Sequence, residues 1–151
     1  AEEYARLIGV APTDLTPEVF AANPMLVRIG GEYHVRAIQQ ADREGALHFY
    51  CAVDEGIVLT LAHPEDMRDN LVQNMERISE RIGGMDTVLC FDCILRRLEA
   101  ERLGIKNDLL PIFDRYHMIG FNTYGEQYRF LHLSQTLTGL AIGSAPSGGA
   151  R

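Results

Sequence analysis

Apolar residues recur along this chain at two periods, and the changes of period mark its elements. Tyr4, Leu7 and Ile8 fall at helical spacing, which predicts a short helix over residues 2–9. Thr16-Pro17-Glu18 reads as an N-cap, a first-turn proline and a first-turn acid, so a second short helix starts there. Asn23-Pro24 ends it, because the residue before a proline avoids the helical region. Residues 25–29 are then a strand, Gly30-Gly31 a hairpin turn and residues 33–39 the partner strand. Period two puts Tyr33, Val35 and Ala37 on one face and His34, Arg36 and Ile38 on the other. Residues 46–53 and 57–62 read as two more strands, joined by Asp54-Glu55-Gly56, and the four together suggest an antiparallel meander.

The second half changes to helical period. From His63-Pro64-Glu65-Asp66 to about Ile82, the residues Met67, Leu71, Met75, Ile78 and Ile82 form one apolar stripe, and Gly83-Gly84 stops it. Residues 87–91 predict a buried strand, residues 92–103 a helix with Leu95, Leu98 and Leu103 inward, and residues 108–116 a further helix with Pro111 in its first turn. Two final strands follow, interrupted by a run of hydrogen-bonding side chains between His117 and Gly143. The expected fold is α+β: a mixed, mostly antiparallel sheet of about six to seven strands with two main helices packed on one face. Residues 1–143 form the domain, and the Gly-, Ser- and Ala-rich residues 144–151 a flexible tail or linker.

Composition narrows the function classes. The chain has 151 residues, enough for one domain, and a net charge of −7, which argues against nucleic acid because phosphate binding needs a basic face. No apolar run approaches a membrane span, and no secretory signal is visible. Three cysteines, an odd number, fit a reducing cytoplasm better than a disulfide framework. The start at Ala-Glu-Glu, without methionine, fits a piece of a longer protein.

The polar run carries a resemblance. Gly120-Phe121-Asn122-Thr123-Tyr124-Gly125-Glu126-Gln127, then His132 and Gln135-Thr136-Leu137-Thr138-Gly139, resembles the C-terminal half of the FIST domain, and the likeness extends from about Tyr4 to Gly143. One departure is visible: Ser134 stands before Gln135-Thr136 where the family pattern has asparagine. The resemblance implies an intracellular sensory, ligand-binding module of signal-transduction proteins. It also implies that the chain is half of a larger unit whose other half precedes Ala1, coupled to a signalling output domain or partner protein. It favours a ligand role for Arg36 over a solvated edge charge, and it implies small ligands of the amino-acid kind.

Candidate chemistry is limited. Cys90-Phe91-Asp92-Cys93 has C-x-x-C spacing, but no second pair exists to complete a zinc site. Cys93 near a helix N-terminus favours a thiolate, whereas Asp92 beside it opposes one. Cys93 and Arg96, at i and i+3, share a helix face. Glu126 and His132 form a formal acid–base pair, yet no nucleophile elbow, phosphate loop or metal motif accompanies them. Binding is the more economical reading. Arg36 or Arg96 can take a carboxylate, Glu126 can accept from an ammonium, and Tyr124, His132 and Gln135 can orient a ligand through hydrogen bonds. That set suits a zwitterion such as a free amino acid.

The leading expectation is therefore a non-enzymatic cytoplasmic sensory domain with ligand-binding residues Arg36, Cys93, Arg96, Tyr124, Glu126, His132 and Gln135, and with no catalytic or metal residues. The alternatives are a haem-based nitric-oxide sensor, implied by proteins resembling the family, a protein-interaction module, and a thiol-redox or Glu126–His132 enzyme. For haem, His34, His48, His63, His117 and His132 are the axial candidates.

Overall fold

The structure, a computed structural model, describes residues 1–143, and the tail expected at 144–151 lies outside the described residues. The chain separates into two units. One comprises Ala1–Pro64 and Gln127–Gln135; the other comprises Glu65–Glu126 and the described residues from Thr136 to Gly143.

In the first unit, α1 (Glu2–Ile8) is followed by α2 (Pro17–Ala22), where Thr16 Oγ1 accepts a hydrogen bond from the Val19 amide as an N-cap should. The strands β1 (Met25–Ile29) and β2 (Glu32–Arg36) form the expected hairpin, with Gly30 and Gly31 at φ 60° and 90°. Two successive positive φ values match the right-handed twist of the strands, and glycine adopts them without Cβ strain. β3 (Ile38–Ala41) pairs with β4 (Leu47–Phe49), while β5 (Leu59–Leu61) pairs with β1. The expected meander is corrected here. β4 is only three residues long, and β5 returns to the free edge of β1, giving the order β2-β1-β5. Tyr4, Phe20, Met25 and Ile38 form the core of this unit. The Tyr4 hydroxyl donates to the Asn23 carbonyl at 2.8 Å, and burial pushes its pKa up to about 12. Later in the chain β8 (Glu126–Tyr128) and β9 (Leu131–Leu133) form a hairpin whose two turn residues, Arg129 and Phe130, both have positive φ.

In the second unit, α3 (Met67–Ile82) starts at Met67 rather than at His63. The Asp66 carboxylate accepts from the amides of Arg68 and Asp69, and hydrogen bonding to Arg68 holds it well below the usual carboxylate range. β6 (Thr87–Cys93) runs two residues beyond the expected strand, so α4 (Ile94–Arg102) begins after both cysteines. α5 (Lys106–Arg115), by contrast, starts early, which places Pro111 inside the helix, not in its first turn, at the loss of one backbone hydrogen bond. β7 (Met118–Thr123) lies parallel to β6, and β10 (Leu137–Ile142) antiparallel to it on the other side. The α+β class holds. Among the described residues the strands form four small sheets rather than one of six to seven strands, and three helices, not two, contribute to the second core. Among the described residues no helix is long and apolar enough to cross a membrane.

The faces of this second sheet differ. Val88, Cys90 and Met118 point into a core completed by Met67, Leu71, Met75, Ala100 and Leu109. On the opposite face Leu89, Ile119, Phe121, Leu140 and Ile142 are exposed, with Phe91 and Phe121 in edge-to-face contact at 5.3 Å. Across the three strands, Gly139, Cys90 and Gly120 stand in register. A Cβ on Gly120 would lie 1.8 Å from the Cys90 carbonyl oxygen, and one on Gly139 would lie 2.5 Å from that of Leu89. Both obstacles are backbone atoms, which cannot move without disturbing the pairing.

Gly120→Ala should therefore destabilise the protein by about 2 kcal/mol or more, whereas Gly31→Ala meets no atom and carries only the strain of its positive φ. Urea unfolding of the two variants tests this; a smaller loss for Gly120→Ala than for Gly31→Ala would contradict the steric argument.

Candidate functional site

The end of β6 gathers the charged groups of the second unit. Cys93 closes the strand and is the N-cap residue of α4; it is buried, and its amide donates to the Thr136 carbonyl at 3.0 Å. One turn into α4, Arg96 Nε donates to Asp92 Oδ1 at 2.7 Å, and both side chains are largely buried. Glu126 is 3% exposed. Its carboxylate accepts from the Thr123 hydroxyl through one oxygen and from the Thr136 hydroxyl, at 2.6 Å, through the other. Cys93, Arg96 and Glu126 thus belong to one neighbourhood, completed by Asp92, Thr123 and Thr136.

Electrostatics tie the two acids together. Burial pushes the Asp92 carboxyl above its usual value, Arg96 pulls it back, and the charge of Glu126 raises it further. The partners of the Glu126 carboxyl group are the two threonine hydroxyls, and among the described residues no cation forms an ion pair with it.

The other expected site residues stand differently. Tyr124 is 93% exposed and takes no part in this cluster. Arg36, His132 and Gln135 belong to the first unit. There Gln135 Nε2 donates to the Ala21 carbonyl at 3.4 Å, and His132 is exposed on β9. Arg36, at the end of β2, is the unusual one. It is 6% exposed, its Nη1 donates to the adjacent Val35 carbonyl at 3.1 Å, and its Nε has no hydrogen-bond partner among the described residues. No carboxylate forms an ion pair with it among the described residues. The reading of Arg36 as a solvated edge charge therefore fails. The departure at Ser134 has a local explanation, since its buried hydroxyl accepts from the Ala37 amide at 3.3 Å and lies 3.1 Å from Cys51 Sγ.

Sequence reasoning missed Asp92 as an ion-pair partner and Thr123 and Thr136 as the holders of Glu126. A signal existed for Asp92, because Asp92 and Arg96 are spaced i, i+4. The threonines gave none, being two hydroxyls among many in a polar run.

Two chemistries find little footing. The thiols of Cys51, Cys90 and Cys93 are all buried and none is in a disulfide; burial and then the Asp92 charge push Cys90 up, away from a reactive thiolate. The histidines do not fit a haem slot within either unit. His48, His63, His117 and His132 are exposed and His34 is half-buried, while His48 Nε2 is engaged by Asp42 and His117 Nδ1 by the Asp86 carbonyl. Among the described residues no group of three metal-ligating side chains converges.

Compared with known proteins, the chain matches the FIST C domain family over residues 1–129. No curated protein and no solved structure matches it.

Two consequences of the cluster can be measured. Thr136→Val keeps the side-chain shape but leaves one Glu126 oxygen short of a donor, a loss of about 1–3 kcal/mol; unchanged stability in urea unfolding would mean that water replaces the hydroxyl. Asp92 gives a pH signature. A carboxyl raised on folding contributes fully below its ordinary pKa, and that contribution is lost as pH rises through the folded value. The stability of the parent relative to Asp92→Asn should fall as pH rises from about 4 and level off once pH has passed the raised folded value. A difference that grows with pH would show that the Arg96 pair outweighs burial.

Proposed function

Because the chain belongs to the FIST C domain family, a family associated with signal-transduction sensory proteins, we propose that it is a non-catalytic sensory domain for a small carboxylate-bearing metabolite. A free amino acid is the first candidate. Occupancy would be relayed to an attached or partner signalling protein by favouring one of two domain arrangements.

The observation that carries this reading is Arg36. A guanidinium stays charged at every accessible pH, and removing it from water costs several kcal/mol unless an anion or a full set of acceptors replaces the hydration. Here it keeps one neighbouring carbonyl and an unpartnered Nε. A planar fork with open donors matches a carboxylate held through two parallel hydrogen bonds. The acidic surface, net −7, offers no general attraction for anions, so selectivity for a carboxylate has to come from such a local site. Arg96 is the weaker candidate for this role, because Asp92 already neutralises it.

A thermal-shift screen of amino acids and related carboxylates tests the proposal, since a ligand at a hundred times its Kd adds about 2.7 kcal/mol. Arg36→Met should abolish the shift and, by removing a buried unpaired charge, leave the unliganded protein at least as stable as the parent. Arg36→Lys should weaken binding about tenfold or more, because an ammonium cannot form the fork. Undiminished binding in Arg36→Met would remove Arg36 from the site. Marked destabilisation of that variant without ligand would assign Arg36 to the fold instead.

A further inference from the structure

The second unit contains a cavity that plays no part in the reading above. It lies between α4, α5 and the edge strand β7, with a volume of about 530 Å³. Ligand pockets run roughly 300–1,000 Å³ and are mostly apolar with a few placed polar groups. This one has that make-up. Cys90, Leu109 and Met118, all buried, form its floor, and Phe113 and Leu110 its wall.

The charges at its rim are unevenly placed. Arg97, one turn into α4, and Lys106, at the start of α5, both bond the same oxygen of Glu101, at 3.1 and 2.8 Å. Two cations therefore share one carboxylate, leaving a local excess of positive charge. Asn122 fixes the guanidinium at the mouth, its Oδ1 accepting from Arg97 Nη1 at 3.3 Å. Two acids also line the cavity. Asp92 is neutralised by Arg96. Asp114 lies near the other end of α5, roughly 12 Å from Lys106 along the helix at 1.5 Å per residue. The pocket is thus cationic at one end, apolar through its length and acidic at the far end.

We propose that this cavity is a binding site for an amphipathic monocarboxylate. The carboxylate sits at Arg97 and Lys106, where it takes up the donors now crowded on Glu101. The apolar body lies against Phe113, Leu109 and Met118. Asp114 disfavours a second anion at the far end, so dicarboxylates are rejected. The site is distinct from Arg36, which belongs to the other unit.

Octanoate is the probe, with octanamide as its uncharged match and suberate as the dicarboxylate of the same chain length. Titration of the ¹⁵N-labelled protein should give saturable octanoate shifts at Gly120, Phe121, Asn122 and along α5, with octanamide and suberate each at least about tenfold weaker. The double variant Arg97→Gln, Lys106→Gln should lose about tenfold in octanoate affinity and keep its octanamide affinity. Its fold should persist because exposed ion pairs contribute little to stability. Equal affinity for octanoate and octanamide, an unaffected double variant, or the absence of saturable binding would each overturn the proposal. Shifts confined to Leu89, Leu140 and Ile142 would do so as well, by placing the fatty chain on the open sheet face.

Discussion

At one end of its sheet the second unit is tied together by one buried carboxyl group. Glu126 joins the end of β7, through Thr123, to the residue that leads into β10, through Thr136. The backbone carbonyl of Thr136 receives the Cys93 amide at the end of β6. Three strand ends thus meet around a side chain that is 3% exposed. A carboxylate there is costly to desolvate, and among the described residues the groups that offset that cost are the two hydroxyls, with no ion-pair partner. The arrangement makes the geometry strict: a displaced threonine would leave the anion unsatisfied in a low-dielectric site. The helix start at Ile94 and the Asp92–Arg96 pair are positioned by the same strand end.

The same residues mark a change in the route of the chain. Between Glu126 and Thr136 the residues Gln127–Gln135 leave the second unit and complete the first. There Ser134 reaches the Ala37 amide and Cys51, and Arg129 lies 3.6 Å from Glu32. This short excursion is the stretch of the described C-terminal residues that the first unit includes. Its tip is sterically demanding, since Arg129 and Phe130 take left-handed conformations that glycine and asparagine adopt more readily.

Local signals were legible where one residue type has one physical use. Thr16-Pro17 as a helix start, Gly30-Gly31 as a hairpin turn and the Met67–Leu71–Met75 stripe all stand where the sequence placed them. Pairings between distant strands were not legible. Nothing in residues 57–62 marks β1 rather than β4 as the partner, because both offer alternating apolar residues. Period two set Arg36 on the same face as Ile38, and both prove to be buried. What no pattern could reveal is that, among the described residues, no carboxylate forms an ion pair with it. The polar run reads as a unit, but its pattern does not say which members turn inward: Glu126 and Ser134 are buried, whereas Tyr124 is almost fully exposed.

The order of the chain has a consequence for biosynthesis. The Ser134 hydroxyl and the Ala37 amide that it caps are 97 residues apart, and all of residues 65–126 are made between them. At about 5–20 residues per second, Ala37 waits roughly 5–20 s for its partner. The first unit therefore cannot mature ahead of the second on the ribosome, as consecutive domains do. Its early strands must persist unfinished, with Cys51 still lacking its Ser134 contact, until residues 127–135 have emerged. The two units ripen together, and a nascent chain arrested before Ser134 would hold neither in its finished form.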